Sequence, residues 1–132
     1  MSTDSDWYLD LGTRANLLVI GPDDPAGAFL EAIRPHLQDP VAILRGGEPL
    51  ALPPRPVGTL IVIDVWALTP DEQRQLHESL DGRFRDAQVI STSPTCLMPM
   101  IAGGIFLESL YYRLNTICID ISASRSSPLT RN

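Results

Sequence analysis

Short, continuous runs of apolar residues recur along the chain, separated by segments rich in polar residues and proline. Such a run is typical of a strand that is buried on both faces, as in a parallel sheet. Five strands are therefore predicted, over residues 16–20, 41–44, 59–63, 88–92 and 116–121.

Helical periodicity follows the first of these runs. Asp24 can cap a helix whose first residue is Pro25, because proline fits the first helical position. The helix is expected to extend to about residue 37. Its apolar face would consist of Phe29, Ile33 and Leu37.

Two further helices are predicted. Thr69 and Glu72 fit a capping box with Pro70 at the first helical position, so a helix is expected over residues 70–80, with Gly82 as its stop. Another is expected over residues 106–114. Its core face would be formed by Phe106, Leu110 and Leu114.

The alternation of strands and helices predicts an α/β three-layer domain with a mainly parallel five-stranded sheet. Residues 45–57, with several prolines, are expected to form a loop, and residues 94–104 an irregular segment or a short helix. Ligands of such sheets bind beyond the carboxyl ends of the strands. Here that rim would comprise residues 21–27, 64–66 and 91–93.

Length and charge limit the range of possible functions. The 132 residues suffice for one domain, and the formal net charge of −6 argues against binding a nucleic-acid backbone. All ten basic residues are arginines. The absence of lysine excludes a Walker-A lysine, a Schiff base and a Ser-Lys dyad.

Other classes of site find little support. Cys96 and Cys118 are expected to be reduced, and His36 and His77 have no metal-ligating partners at useful spacing, so no metal site is predicted. No apolar run is long enough to cross a membrane, and the polar N-terminus is not a signal peptide. A cytoplasmic location is therefore expected.

The termini are expected to differ from the domain, which is predicted over residues 15–121. Residues 1–14 are a polar lead whose few apolar side chains could pack on the domain edge. These are Trp7, Tyr8, Leu9 and Leu11. Residues 122–132 are rich in serine and are predicted to be a disordered tail.

Two segments resemble one known family. Residues 106–115, FLESLYYRLN, closely resemble F-R-x-D-L-Y-Y-R-L-N, and residues 58–73, GTLIVIDVWALTPDEQ, resemble G-T-L-F-L-D-E-I-G-E-L-P-L-x-x-Q. Both are signatures of the AAA+ ATPase domain of sigma-54-dependent transcription activators. The resemblance implies a P-loop-NTPase-like (AAA+) core, here truncated and degenerate.

The resemblance places the Walker-B position on a residue that cannot do its chemistry. Aligned without a gap, the family's Mg²⁺-organising aspartate falls on Ile63, which offers no oxygen ligand, and its catalytic glutamate falls on Asp64. Asp64 could be a vestigial catalytic residue. The alternative, that it simply ends a buried strand, is favoured.

The Walker-A position is equally altered. Residues 21–28, GPDDPAGA, begin at Gly21 and place the family's lysine on Ala26 or Gly27. Two prolines remove N–H donors, and two aspartates put negative charge where phosphates would lie. An ordinary strand–turn–helix corner is favoured over a working P-loop.

Two more positions carry over from the family. Thr92 and Ser93 stand at the threonine and asparagine of its sensor-I strand. Of the family's two arginines that reach a neighbouring subunit's ATP, the first falls on Leu107 and the second is kept as Arg113. Arg113 could be a remnant finger, an interface residue or a solvated arginine. Leu107, Tyr111 and Arg113 together form a candidate interface.

The family's segment between the first helix and the G-T-L strand is largely missing. Only residues 38–57 connect these points, and the G-A-F-T-G-A loop that contacts sigma-54 is absent. The family's helical lid is also expected to be lacking.

The resulting hypothesis is a non-catalytic AAA+ remnant, not an enzyme, that acts by protein–protein contact in bacterial transcription regulation. An AAA+ transcription activator is the candidate partner. No cofactor is expected, and ATP and Mg²⁺ only if the degenerate site still works. The alternatives are a residual ATP-binding protein or slow NTPase, and a signalling scaffold unrelated to sigma-54.

Overall fold

The computed structural model describes residues 14–121, and the predicted lead before residue 14 and tail after residue 121 lie outside these described residues. The strands are β1 (Leu17–Ile20), β2 (Val41–Arg45), β3 (Thr59–Ile63), β4 (Gln88–Ser93) and β5 (Ile117–Asp120). The α-helices are α1 (Asp23–Ile33), α2 (Pro70–Leu80), α3 (Met98–Ala102) and α4 (Glu108–Leu114). Short 3₁₀ helices lie at Arg34–His36 and Val65–Ala67.

The five strands form one sheet in the order β2-β3-β4-β1-β5, and every pairing is parallel. The prediction of a mainly parallel five-stranded α/β sheet is thus confirmed. All residues of β1 and β4 are buried, as expected for strands in the middle of a covered sheet.

The predicted first strand begins one residue too early. Asn16 precedes β1, and its side chain joins two neighbours instead: Nδ2 donates to the carbonyl oxygen of Arg113 at 2.9 Å, and Oδ1 accepts from the amide of Val89 at 2.8 Å. A polar residue at the entrance to the sheet therefore fixes the start of β4 and the end of α4.

Helices cover the sheet unequally. The larger core cluster lies on one face and contains Leu18, Leu60, Val62 and Val89 of the strands together with Leu76, Leu110 and Leu114 of the helices. The smaller cluster, on the opposite face, joins Leu17, Ile61 and Ile90 of the strands to Ile33 and Leu37. The domain thus has three layers, with α1 the α-helix that packs on the smaller cluster.

Helix α1 does not begin where the sequence predicts. It starts at Asp23, and Pro22, with φ −59° and ψ 158°, takes the N-cap position assigned to Asp24. Pro25 is tolerated in the first turn because the first four amides of a helix need no intrahelical partner. The α-helix ends at Ile33, and Leu37 follows the 3₁₀ turn but is still buried.

The capping box of α2 is confirmed. The Thr69 hydroxyl accepts from the amide of Glu72 at 3.1 Å, and the Glu72 carboxylate accepts from the amide of Thr69 at 2.9 Å. The helix ends at Leu80 as predicted. Its C-cap is Asp81 in a right-handed conformation, so Gly82 is not the residue that ends it.

Helix α4 is shorter than predicted. It begins at Glu108, so Phe106 lies in the preceding segment, although its ring is buried beside Leu110 and Leu114 as expected. The predicted short helix within residues 94–104 is present as α3.

Candidate functional site

The carboxyl ends of β1, β3 and β4 meet at one rim, and four of the predicted site residues come together there. The amide of Gly21 donates to the carbonyl oxygen of Ser93 at 3.0 Å. The amide of Asp64 donates to Oγ1 of Thr92 at 3.0 Å. β4 is therefore tied at its end to the strand on each side of it.

The connection from β1 to α1 is short. Only Gly21 and Pro22 separate Ile20 from Asp23, the first residue of the helix. Anion sites at helix starts use several backbone N–H groups that converge on the ligand. Here the connecting segment has two residues. The N–H of Gly21 is already bonded to the carbonyl oxygen of Ser93, and Pro22 has no N–H.

The two positions aligned with the Walker-A lysine differ in their exposure to solvent. Ala26 is buried, whereas Gly27 is exposed and has no atom within 4 Å of the place where a Cβ would stand. Asp23 and Asp24 occupy the first turn of α1 and are both exposed. The start of this helix therefore presents two carboxylates to solvent.

Asp64 is half-buried and has a left-handed backbone, with φ 56° and ψ 53°. Burial raises the pKa of its carboxyl above the usual 3.8, and the nearby Asp23 carboxylate raises it further. A hydrogen bond from Trp66 and the positive charge of Arg45 oppose that pKa shift. The ionised form of Asp64 is therefore disfavoured at the rim.

The hydroxyl groups of β4 are mostly used within the fold. Ser93 Oγ donates to the carbonyl oxygen of Thr95 at 2.6 Å. Ser91 Oγ is buried and has no hydrogen-bond partner, but its neighbours in register are Leu18 and Val62 of the larger core cluster. Ser91 therefore faces the core on the α2 side rather than the space beside α1.

Two classes of feature are missing from the part of the chain that the structure describes. Within residues 14–121, no three His, Cys, Asp or Glu side chains are placed to hold a metal ion. In the same range, no helix has the length and apolar character needed to span a membrane.

Arg113 makes its contacts inside its own chain. Its guanidinium donates to Oδ1 of Asp81 and to the carbonyl oxygen of Leu80, both at 2.6 Å. The hydrogen bond and positive charge of Arg113 lower the pKa of the Asp81 carboxyl. The side chain thus joins α4 to the end of α2, a contact between residues far apart in sequence that no local pattern announces.

The other candidate interface residues are partly engaged. Tyr111 is half-buried, its hydroxyl accepts from Nδ2 of Asn115 at 2.8 Å, and its ring lies edge-on to that of Tyr112 with centroids 5.4 Å apart. The amide of Leu107 donates to Oε1 of Gln73 at 2.7 Å. Tyr112, which sequence reasoning missed, is 64% exposed and is the large apolar surface of this helix.

Gln73 is the second residue whose role sequence reasoning missed. It is buried, and besides accepting from Leu107 its Nε2 donates to the carbonyl oxygens of Leu68 and Ile105, both at 3.0 Å. The sequence signal that points to Gln73 is its presence in the motif of residues 58–73. Its partners lie in two separate loops, which a motif does not reveal.

Comparison with known proteins gives related but much longer chains. No family model matches. The HTH-type transcriptional regulatory protein TyrR of Citrobacter braakii is 30% identical over 82 residues, 54% of this chain and 16% of that protein. TyrR of Salmonella typhimurium is 29% identical over 82 residues with the same coverage. The chain therefore spans less than a fifth of these relatives.

The similar solved structures are those of NtrX from Brucella abortus. The complex with ADP gives a TM-score of 0.67 at 21% identity and covers 90% of this chain and 34% of that one. The complex with ATP gives 0.61 at 20% identity, covering 82% and 31%. Sequence likeness to TyrR and a fold shared with NtrX, added to the motifs at residues 58–73 and 106–115, support the resemblance of this chain to the AAA+ domain of sigma-54-dependent transcription activators.

Proposed function

We propose that this AAA+-type domain is a non-catalytic protein-interaction module in transcription regulation. The observation that carries the proposal is the corner between β1 and α1. Gly21 and Pro22 alone connect the strand to a helix whose first two residues are Asp23 and Asp24. Phosphate would have to approach two carboxylates with no lysine anywhere in the chain to offset them.

The Walker-B position supports the same proposal. Ile63 supplies no ligand for Mg²⁺, and Asp64 has its carboxyl group hydrogen-bonded to Trp66 and its amide bonded to Thr92. A residue that orients an attacking water needs a free carboxylate facing the nucleotide. The contacts of Asp64 instead suit a residue that ends a buried strand.

The surface proposed for the partner is α4, whose motif is the best preserved part of the resemblance. Arg113 is held by Asp81 and Leu80, so it would serve the interface from that position rather than reach for a neighbour's nucleotide. Tyr112 is the exposed aromatic side chain beside it, and exposed aromatic residues are enriched among interface hot spots. A related AAA+ transcription activator is the partner we propose.

Nucleotide binding is tested with the full chain carrying Trp7→Phe. Trp66 is then the sole tryptophan, and it lies beside Asp64 at the rim. Titration with Mg-ATP should leave its emission unchanged at millimolar nucleotide, and calorimetry should detect no heat of binding. Saturable binding near cellular ATP concentrations would overturn the proposal and favour the alternative of a residual ATP-binding protein or slow NTPase.

Partner binding is tested by adding the chain to a sigma-54-dependent transcription assay driven by an intact AAA+ activator. We expect inhibition or modulation at stoichiometric excess, weakened by Tyr112→Ala. Met98→Ala, which truncates an exposed apolar residue of α3, is the matched control and should act like the unchanged chain. No effect of the unchanged chain would count against this partner and favour a scaffold that shares the fold alone.

A further inference from the structure

β2 is an edge strand of the sheet. Among the described strands it pairs with β3 alone. The amide of Gly46, directly after β2, donates to the carbonyl oxygen of Ile63 at 2.8 Å. Alternate residues of a parallel strand bond to the same neighbour, so residues 42 and 44 face β3 in the same way. The other three residues of β2 turn their backbone N–H and C=O groups towards the open edge: Val41, Ile43 and Arg45.

A groove of about 500 Å³ lies along this edge, on the sheet face that carries α1. Ile43 and Ile61, neighbours in the sheet register, line it together with Leu30 of α1. The connection from β2 to β3 leaves this face uncovered, because its apolar side chains pack against the larger core cluster on the opposite face: Leu50, Leu52 and Val57. Ile43 is consequently 43% exposed.

A second hollow, of about 300 Å³, lies beside the same strand. It is lined by Leu44, whose side chain belongs to the larger core cluster, and by residues 48–51 of the connecting loop. The side chains of a strand point alternately to the two faces of its sheet. A strand added at this edge therefore finds space for its side chains on both faces.

We propose that the open edge of β2 binds an extended segment of another protein, with one apolar residue between two acidic residues at alternate positions. The backbone of this segment pairs with the outward N–H and C=O groups of β2, the mode by which a peptide adds a strand to a sheet. The carbonyl oxygen of Arg45 accepts from the amide of Glu48 at 3.4 Å and keeps a second lone pair for this purpose. The central apolar side chain of the segment lies beside Ile43 in the groove. This surface is on the opposite face of the sheet from α4 and does not depend on the function proposed above.

The charges at the two ends of the groove favour an acidic occupant. Arg45 is the last residue of β2. Arg34 follows α1, which connects the carboxyl end of β1 to the amino end of β2, so the two arginines border opposite ends of the groove. Glu31 is the carboxylate among the lining residues. An acidic side chain at each end of the bound segment therefore lies near an arginine, with the apolar side chain between them.

A second copy of this chain fits the edge less well. Antiparallel pairing of β2 with itself about Ile43 would set Arg45 of one copy opposite Val41 of the other. That is the end of the groove bordered by Arg34, so like charges would meet at both ends. Charged side chains at an open edge are a known means of preventing self-pairing. The same charges attract an acidic strand.

The test titrates the full chain into a fluorescein-labelled peptide of sequence GEVIVEG and follows fluorescence anisotropy. We expect saturable binding below millimolar protein. Ile43→Asp should weaken it about tenfold or more, because the centre of the docked strand is desolvated. Arg34→Glu, at an exposed position, should weaken it about fivefold and should improve binding of the charge-reversed peptide GKVIVKG. N-methylation of the peptide's central isoleucine should abolish binding, whereas N-methylation of the valine that follows, whose N–H faces away from β2, should be tolerated.

The matched control is Ile105→Asp, which changes an exposed isoleucine that does not line the groove and should leave peptide binding unaltered. Far-UV circular dichroism verifies that each variant is folded. No saturation at millimolar protein, or equal binding of GEVIVEG and GKVIVKG, would overturn the proposal. So would a molar mass that doubles with concentration in the unchanged chain but not in Ile43→Asp, because the occupant of the edge would then be a second copy.

Discussion

Arg113 reaches from α4 to the end of α2, where it donates to Oδ1 of Asp81 and to the carbonyl oxygen of Leu80, each at 2.6 Å. The last carbonyls of a helix lack intrahelical partners and lie at the negative end of its dipole. The Arg113 guanidinium supplies a hydrogen-bond donor for one of these carbonyls and a positive charge at that end of the dipole. The arginine that the family resemblance assigns to a neighbouring subunit here helps to hold one subunit together.

Removing this side chain should therefore lower stability. We expect Arg113→Ala to reduce the free energy of unfolding by about 1–2 kcal/mol, the usual contribution of a hydrogen bond that involves a charged group, reduced by partial exposure. Arg113→Lys should lose less, because it keeps the charge but not the forked geometry. Urea denaturation of both variants measures the difference, and equal loss in the two would show that the fork is unimportant.

The pair also predicts a pH dependence. Because the pKa of Asp81 is lowered from 3.8 in the folded chain, its contribution to stability is fully present above that value. The contribution is lost as the pH falls through the lower, folded-state pKa. The stability difference between the unchanged chain and Asp81→Asn should be constant from neutral pH to about pH 5 and shrink in acid. It should also shrink in high salt, since Asp81 is exposed.

Asp64 should behave in the opposite way. Its pKa is raised, so its contribution to stability is greatest below pH 3.8 and falls as the pH rises through the folded-state value. Asp64→Asn, which tolerates the left-handed backbone, is expected to raise the melting temperature at pH 7 and to have little effect near pH 3. Asp64→Ala should cost about 1 kcal/mol through its φ of 56°. A drop in melting temperature for Asp64→Asn at pH 7 would contradict this account.

Gln73 offers a test of buried polar contacts. Gln73→Leu leaves the amide of Leu107 and the carbonyl oxygens of Leu68 and Ile105 without the partners that Gln73 supplies. We expect a loss of about 2–4 kcal/mol in chemical denaturation, since unsatisfied buried groups are costly. Gln75→Leu, an exposed position on the same helix, is the control and should change stability by less than about 0.5 kcal/mol.

Two glycines should respond to alanine with opposite signs. A Cβ at Gly46 would stand 2.0 Å from the carbonyl oxygen of Asp64, so Gly46→Ala requires the backbone to move and should cost about 1–3 kcal/mol. Gly27 lies within α1 with open space around it, and Gly27→Ala should gain about 0.5–1 kcal/mol. Thermal unfolding of the pair checks both, and a tolerated Gly46→Ala would mean that the loop adjusts easily.

The elements that the sequence predicts well are those governed by local rules. The strand over residues 59–63 and the capping box at Thr69 depend on neighbours in sequence and agree residue by residue with the structure. The predicted start of α1 is wrong because Pro22 and Pro25 both suit the beginning of a helix, and the sequence does not decide between them. The contact of Arg113 with Asp81 depends on how two helices pack, which no local rule contains.

The candidate site likewise contains some features that the sequence predicts and others that depend on how the elements pack. The position of Asp64 after a buried strand and its proximity to Thr92 follow from the order of strands in a parallel sheet. The raised pKa of Asp64 requires knowing that Asp23 approaches it from another element. Gly21 and Pro22 form the whole connection to α1 because the helix starts at Asp23, a position that the pattern of prolines does not decide.

The two hydrogen bonds that tie the end of β4 to Gly21 and Asp64 have a consequence for motion. Domains that respond to nucleotides rely on an element with two arrangements, which the nucleotide selects between. Here Gly21 and Asp64 are both bonded to β4 of their own chain, so the rim is held without a ligand. We expect the amide protons of Gly21 and Asp64 to exchange slowly with solvent, and at the same rate with and without ATP. A rim held in this way should keep one arrangement whether or not nucleotide is present.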